Sequence, residues 1–157
     1  MRTIRHAEEA DILPLLSLSE AYFNEASSGE GWDWFDLDGD VLFLNLLSAI
    51  HSEDHAVIVA DVEGKVVGGM WGGICPLVMT RATLARDLFL YVLPEYRDLW
   101  TANEIVSFFE EWAKGKGASA VSVGANSNIK GNRGAEVLYR RRGYSPLGFD
   151  FIKKIGD

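Results

Sequence analysis

The fold of this chain is decided by Asn132–Tyr144, which reads N-R-G-A-E-V-L-Y-R-R-R-G-Y. Ala135, Leu138 and Tyr139 stand at i, i+3 and i+4, so they share one face of a helix. Three consecutive arginines follow, where positive charge suits the C-terminal end of the helix dipole. Gly143 then supplies the left-handed residue that commonly ends a helix. The stretch therefore predicts a short helix that stops at a glycine, after which the chain continues as a strand.

The rest of the chain alternates between strand-like and helix-like patterns. The predicted strands are 2–7, 56–62, 65–74, 83–92, 118–124 and 147–155, and the predicted helices are 12–26, 40–51, 101–114 and 132–142. The second helix is apolar on nearly every side, so we expect it to be well buried. This β-α-α-β-β-β-α-β-α-β order predicts an α+β fold, with a mixed, mostly antiparallel sheet flanked by helices on both faces.

Composition limits the classes of protein to consider. Hydrophobic residues make up 48% of the 157 residues, which favours one folded domain over 1–157 and argues against disorder. The net charge of −8 argues against a nucleic-acid-binding face. Cys75 is the only cysteine, so no intrachain disulfide forms. The N-terminus lacks the apolar core of a signal peptide, and no apolar run reaches membrane length. These features favour a soluble cytoplasmic protein.

Both Asn132–Tyr144 and the element order resemble the GNAT acetyltransferase superfamily, over about residues 3–154. The run R-D-L-F-L-Y-V-L-P-E-Y-R is also similar to small GNAT-like proteins of bacteriophages. The resemblance implies an acetyl-CoA-dependent N-acetyltransferase, which moves an acetyl group to a primary amine of a small molecule or peptide by direct attack in a ternary complex. It also implies that Tyr139 reaches the thiolate of departing coenzyme A. No nucleic-acid or membrane partner is expected, and a homodimer is left open.

The segment Leu90–Asn103 resembles the family's cofactor-binding lead-in and loop, whose backbone N–H groups face the pyrophosphate. The cofactor residues implied by the resemblance are Leu90, Tyr91 and Val92 along the pantetheine arm, Arg97, Asp98, Leu99, Trp100, Thr101 and Ala102 around the pyrophosphate, and Asn132, which contacts the cofactor or braces the last helix. Trp100 replaces the family's middle glycine. Three interpretations follow: a rearranged loop that binds acetyl-CoA, a loop with weak binding or another acyl donor, or a lost site.

The general base is the least determined part of the chemistry. Asp87 is the only carboxylate in the fourth strand, where the family often has a glutamate, and it is a candidate base or the partner of Arg86 in a salt bridge. An aromatic and acidic loop over 27–39 is the candidate acceptor site, because acidic and aromatic side chains suit a cationic amine. Its acceptor-binding candidates are Trp32, Asp33, Trp34 and Asp36. The other acidic candidates for the base are also in this loop, namely Glu30, Asp33, Asp36, Asp38 and Asp40. The alternative is an ordinary solvated loop.

The three histidines, His6, His51 and His55, have no metal-ligand spacing with each other or with Cys75, so no metal site is predicted. A second class of function also remains open, a GNAT-fold protein that has lost turnover and acts by binding a protein partner. Trp100 and the missing glutamate favour that alternative. The intact Asn132–Tyr144 stretch favours the enzyme.

Overall fold

The computed structural model describes residues 1–27, 31–98 and 100–156 of the chain. The strands are β1 Arg2–His6, β2 His55–Val62, β3 Lys65–Pro76, β4 Thr83–Val92 and β5 Ala120–Ser122, and the helices are α1 Ile12–Ala26, α2 Gly39–Ile50, α3 Thr101–Gly115 and α4 Arg133–Arg141. Short 3₁₀ turns cover Glu9–Asp11, Pro94–Tyr96 and Ile129–Asn132. Most predicted bounds agree with these to within two residues.

The strands form one sheet in the order β1-β2-β3-β4-β5. The first three pairings are antiparallel, and β5 runs parallel to β4. A tight turn at Glu63 and Gly64 joins β2 to β3, with φ angles of +52° and +85°, as expected for a two-residue hairpin. The predicted fold class, α+β with a mixed, mostly antiparallel sheet, is confirmed.

Helices cover both faces of the sheet. One hydrophobic core packs α1 and α2 against the sheet around Leu15, Val59 and Tyr91. The other packs α3 and α4 around Ile58, Phe109 and residues of α4. Residues of β4 therefore alternate between the two cores, so this strand contacts side chains from both helical layers.

An irregularity in β4 shifts this alternation. Trp71 of β3 pairs with Phe89, but the next residue, Gly72, pairs with Asp87, so Leu88 is an extra residue in β4. Such a β-bulge bends a strand and re-aims its side chains. The bulge therefore separates the start of β4 from the stretch that carries Phe89 and turns Asp87 toward the α3 and α4 side.

Two expectations about the fold were wrong. The predicted strand over 147–155 is not formed, and Leu147, Phe149 and Phe151 are 89–94% exposed. Its alternating apolar residues have strand propensity, but a strand needs a neighbouring edge, and β5 is only three residues long. The second helix is not well buried either, because α2 packs through one face only. Val41 and Leu44 of that helix are 54% and 64% exposed.

Candidate active site

The candidate site lies where β4 and β5 separate. The two strands pair only over Leu84–Arg86 and Ala120–Ser122, whereas β4 continues to Val92. Within the described residues, β5 therefore leaves the edge of β4 from Asp87 to Val92 unpaired. An unpaired edge offers backbone N–H and C=O groups to any extended molecule that aligns with it. We call this opening between the two strands the fork.

Asp87 lies at the closed end of the fork. The backbone N–H of Gly124 donates a hydrogen bond to its Oδ1 at 2.9 Å. Burial raises the pKa of Asp87 from 3.8 to about 6, against the opposing effects of the Gly124 hydrogen bond and the charge of Arg86. The carboxylate is thus ionised at neutral pH yet basic enough to accept a proton. Among the described residues, Arg86 and Asp87 form no ion pair, and the charge of Arg86 lowers the pKa of Asp87.

Tyr139 of α4 belongs to the same site. Its side chain is 6% exposed, and its ring centre lies 5.5 Å from that of Tyr144. Burial, followed by the negative charge of Asp87, raises the pKa of the Tyr139 hydroxyl well above its usual range, so the hydroxyl stays protonated. That hydroxyl donates no hydrogen bond to another described residue. Tyr139 packs in the same core as Ala85 and Val92 of β4, the strand that carries Asp87, so the charge of Asp87 acts on the phenol.

A polar cluster between α3 and α4 fixes the position of α4. Arg142 donates to both carboxylate oxygens of Glu110, through Nε at 3.1 Å and through Nη2. Its Nη1 donates to Oδ1 of Asn103 at 2.6 Å, and the Tyr144 hydroxyl donates to Glu110 at 2.9 Å. Sequence reasoning missed this cluster, because a glutamate on the polar side of a helix usually faces solvent. A bidentate pair of this kind orients the last turn of α4.

The aromatic part of the acidic loop lies beside the fork. The indole N–H of Trp32 donates to the backbone oxygen of Asn126 at 2.8 Å, two residues after the Gly124 that binds Asp87. Phe35 stacks on Trp34 with ring centres 3.9 Å apart, and its ring centre lies 5.3 Å from that of Trp32. The three rings thus form one unit that is anchored to the chain just beyond β5.

The carboxylates of this loop have different environments. Asp33 and Asp36 are exposed, so they are free to face a cation arriving at the fork. Asp38 is the N-cap of α2, because its Oδ1 accepts from the N–H groups of Asp40 and Val41 at 3.0 Å each. Glu30 lies outside the described residues.

The residues predicted to bind the pyrophosphate carry internal contacts. Arg97 donates through Nε to the oxygen of Val92 at 2.8 Å, and through Nη1 and Nη2 to the Glu25 carboxylate at 3.1 Å and 2.6 Å. Its guanidinium lies 5.0 Å from the ring centre of Tyr91, whose hydroxyl also donates to Glu25. Leu90, by contrast, packs on the opposite side of β4 in the core of α3 and α4.

The carboxylate of Asp98 binds the backbone N–H groups at the start of α3. Oδ1 of Asp98 accepts from the N–H groups of Trp100 and Thr101 at 3.1 Å and 2.7 Å, and Oδ2 pairs with Arg2 at 2.8 Å. The hydrogen bonds outweigh burial and lower the pKa of Asp98 to about 2. The indole of Trp100 is 62% exposed. Ala102, in the first turn of α3, packs against the core of α3 and α4, and Leu99 lies outside the described residues.

Asn132 stabilises the turn that leads into α4. Its Oδ1 accepts from the N–H of Asn128 at 2.7 Å, and its Nδ2 donates to Oδ1 of Asn128 at 3.3 Å. Asn132 has φ of +63°, in the left-handed region that asparagine tolerates better than most residues. Of the two roles expected for Asn132, bracing the last helix is the one for which the structure has direct contacts.

Other features of the described chain lie apart from the fork. A cavity of about 190 Å³ between α2 and α3 is lined by residues that include His6, His55 and Trp112, and neither Asp87 nor Tyr139 contributes to it. The described residues contain no group of three or more His, Cys, Asp or Glu side chains arranged to hold a metal ion. Among the described helices, none has both the length and the apolar character needed to cross a membrane.

Comparison with known proteins assigns the fold to a family. Residues 53–146, which include β4, the fork and Tyr139, match the model of the acetyltransferase (GNAT) domain. The chain belongs to the GNAT acetyltransferase family. No protein among those with curated functions matches it in sequence.

Solved structures agree with this GNAT fold. The aminoglycoside N-acetyltransferase AAC(6')-Iy, in complex with the bisubstrate analogue CoA-S-monomethyl-acetylneamine, aligns with a TM-score of 0.79 and 13% identity. Glucosamine-6-phosphate N-acetyltransferase from Arabidopsis thaliana aligns at 0.74 and 15%, and ribosomal-protein-alanine N-acetyltransferase from Brucella melitensis at 0.75 and 14%. Each alignment covers 99% of both chains. At these identities the likeness establishes the fold alone.

Proposed function

We propose that this GNAT acetyltransferase transfers an acetyl group from acetyl-CoA to a primary amine of a small molecule or peptide, by direct attack in a ternary complex. The observation that carries the proposal is the fork itself, with Asp87 held at its closed end by Gly124 and Tyr139 buried in the core that contains Ala85 and Val92 of β4. Burial raises the pKa of Asp87 to about 6 and keeps the hydroxyl of Tyr139 protonated. A base and an acid in one water-poor site are the two groups that amine acylation by a thioester requires.

The fork fits one part of the donor well. The free edge of β4 from Asp87 to Val92 suits the amide groups of a pantetheine arm, which add to a strand as another strand would. Bound acetyl-CoA supplies an activated thioester at the end of that arm. The phosphate end fits less well, since Arg97 and the first N–H groups of α3 already bind carboxylates of the chain.

In this proposal, Asp87 and Tyr139 carry out the two proton transfers of the reaction. Asp87 accepts the proton that the attacking amine loses, directly or through water. Backbone N–H groups on the free edge of β4 stabilise the negative charge that develops on the carbonyl oxygen. The Tyr139 hydroxyl donates a proton to the leaving sulfur, which its raised pKa allows because the hydroxyl is fully protonated at neutral pH.

The acidic loop supports a cationic acceptor. Exposed Asp33 and Asp36 lie beside the half-buried rings of Trp32 and Trp34, which bind cations through their π faces. The net charge of −8 draws cationic molecules toward the protein. Proteins of the same fold include enzymes named for aminoglycosides, glucosamine-6-phosphate and a ribosomal protein.

One observation favours a second candidate function. Because Glu25 and Asp98 occupy groups suited to the pyrophosphate, the fold is also compatible with a protein that binds a protein partner without turnover. The paired environments of Asp87 and Tyr139 favour the enzyme, since a raised carboxylate pKa costs stability that a binding scaffold has no reason to retain.

Replacing Tyr139 by phenylalanine is expected to lower kcat by about 10- to 100-fold, because the leaving sulfur loses its proton donor. The ring still fills its buried position in α4, and no hydrogen bond to a described residue is lost. The melting temperature should therefore stay within about 2 °C of the wild type. Steady-state kinetics together with a thermal melt measures both quantities.

The control for this variant is Tyr96→Phe, which removes a phenol from a turn that lies outside the fork. Turnover should be unchanged in the control. Equal turnover in wild type and Tyr139→Phe would remove Tyr139 from the mechanism.

Replacing both Asp33 and Asp36 by asparagine is expected to raise KM for a cationic amine by about 5- to 20-fold, with kcat within twofold of the wild type. Both carboxylates are exposed, so they attract the acceptor without contacting the reacting atoms. The effect should shrink at high salt, since screening weakens attraction between exposed charges. Kinetics at two ionic strengths tests this.

The matched control is Asp54→Asn combined with Glu53→Gln, which removes two charges from the exposed turn before β2. A KM that rises equally in the control would mean that only net charge matters. An unchanged KM in the Asp33 and Asp36 variant would place the acceptor elsewhere.

A further inference from the structure

Two carboxylates of the chain occupy the groups that would otherwise receive the donor's phosphates. Phosphate groups bind to arginine guanidinium groups and to backbone N–H groups at the start of a helix. Beyond the open end of the fork, the guanidinium is that of Arg97, and the N–H groups are those of Trp100 and Thr101 at the start of α3. Glu25 binds the first and Asp98 binds the second.

The Glu25 contact uses most of the donors of Arg97. Both terminal nitrogens of the guanidinium bind the carboxylate, and Nε binds the backbone of Val92. The pKa of Glu25 is lowered, since hydrogen bonds from Arg97 and Tyr91 outweigh the effect of burial. Glu25 is therefore ionised at neutral pH, and its negative charge stands between Arg97 and an incoming anion.

The Asp98 contact neutralises the other positive groups. Arg2 donates to Asp98 at 2.8 Å, to the Thr101 hydroxyl at 2.9 Å, and through Nε to Glu104 at 2.9 Å. The helix start and the nearest arginine are thus both paired with carboxylates. The ionised carboxylate of Asp98 therefore already accepts from the N–H groups of Trp100 and Thr101 that a pyrophosphate would bind.

We infer that Glu25 and Asp98 are donor-selectivity residues, which weaken recognition of the phosphates so that the chain binds an acyl thioester mainly through its pantetheine arm. This inference rests on the proposed acetyl-CoA-dependent function. Its consequence is that acetyl-CoA and S-acetylpantetheine, which lacks the phosphates and the nucleoside, bind the wild-type protein with similar affinity.

The opposite role for Glu25 would be to hold Arg97 ready for a phosphate. The two roles predict opposite changes in the affinity for acetyl-CoA when the charge of Glu25 is removed. If Glu25 competes with the phosphates, removing its charge tightens acetyl-CoA binding. If Glu25 orients Arg97, removing its charge loosens the arginine and weakens acetyl-CoA binding.

Calorimetric titration with acetyl-CoA and with S-acetylpantetheine tests the inference without any acceptor amine. The variants are Glu25→Gln, which keeps an acceptor for the Tyr91 hydroxyl, and Asp98→Asn, which keeps an oxygen that can accept from the N–H groups of Trp100 and Thr101. Glu20→Gln, an exposed position on the same helix as Glu25, is the control for net charge. Thermal melts of each variant establish that it is folded.

We expect each of Glu25→Gln and Asp98→Asn to bind acetyl-CoA about tenfold more tightly than the wild type. Binding of S-acetylpantetheine should change less than twofold, and Glu20→Gln should resemble the wild type with both compounds. The phosphate-free compound thereby separates an effect on the phosphates from a general effect on the fork.

Three results would overturn the inference. Unchanged or weaker acetyl-CoA binding in Glu25→Gln, with wild type far tighter on acetyl-CoA than on S-acetylpantetheine, overturns it and leaves the proposed function intact. Equal gains in Glu20→Gln would mean that net charge is responsible. No binding of either thioester by any folded variant would overturn the proposed function as well.

Discussion

Replacing Asp87 by asparagine is expected to lower kcat/KM by about 10²- to 10⁴-fold, the usual contribution of a general base. Asparagine keeps an oxygen to accept the hydrogen bond from Gly124, so the fork should keep its shape. The wild-type pH profile should fall on the acidic side with an apparent pKa near 6, because protonated Asp87 cannot accept a proton. The variant should lose that limb of the profile.

The same substitution should raise stability. The pKa of Asp87 is about 6 in the folded chain and 3.8 as its ordinary value, so the folded state holds more protons between these two values. Stability therefore falls as pH rises from about 4 to about 6, and the cost persists at higher pH. Asp87→Asn removes a cost on the order of 1–3 kcal/mol at pH 8 and close to none at pH 3.5. Denaturant unfolding at both pH values measures the difference.

The control for Asp87 is Asp54→Asn, at an exposed position before β2. It should alter neither activity nor the pH dependence of stability. An active Asp87→Asn enzyme, or one whose stability gain is the same at both pH values, would contradict the assignment of Asp87 as a buried base.

Replacing Gly72 by alanine is expected to destabilise the fold by about 3 kcal/mol or more, the upper range for overpacking. A Cβ at this position would lie 2.4 Å from Cζ of Phe109 and 2.7 Å from the backbone oxygen of Arg86. Phe109 is fully buried, so its ring has no space to move into. For a chain of this size, we expect the melting temperature to fall by about 10 °C.

Activity should also fall in Gly72→Ala at temperatures where the protein stays folded, because Gly72 pairs with Asp87 beside the bulge. The control is Gly115→Ala, at the end of α3, where a Cβ would meet nothing within 4 Å. Alanine there should be neutral or stabilising by up to about 1 kcal/mol. Equal melting temperatures for the two variants would mean that Phe109 does not pack tightly over β3.

Local sequence patterns predicted the elements that local chemistry determines. Gly143 has φ of +87°, as its place after three arginines predicts, and Tyr139 is buried on the helix face that it shares with Leu138. The predicted strand 83–92 has the observed bounds of β4. In these cases the determining interactions lie within a few residues of each other, so the sequence reports them directly.

Contacts between distant segments were beyond sequence reasoning. Arg97 meets Glu25 across 72 positions, and Trp32 meets Asn126 across 94. Both pairings depend on how distant elements pack together, which no local pattern encodes. Asp98 lies within three residues of the N–H groups that it binds at the start of α3, but the family resemblance assigned it to the cofactor. The prediction of a strand over 147–155 was wrong because strand propensity alone does not supply a neighbouring strand to pair with.

The most direct test of the proposed chemistry is the rate of thiol release from acetyl-CoA with a panel of primary amines at pH 8, in wild type and Asp87→Asn. The panel includes a neamine-type aminoglycoside, glucosamine-6-phosphate and a peptide with N-terminal alanine, and mass spectrometry identifies any acetylated amine. We predict amine-dependent thiol release with a cationic acceptor in the wild type, and at least 100-fold slower release in Asp87→Asn. No amine-dependent release by the wild type, or equal release by both proteins, would contradict an N-acetyltransferase that uses Asp87 as its base.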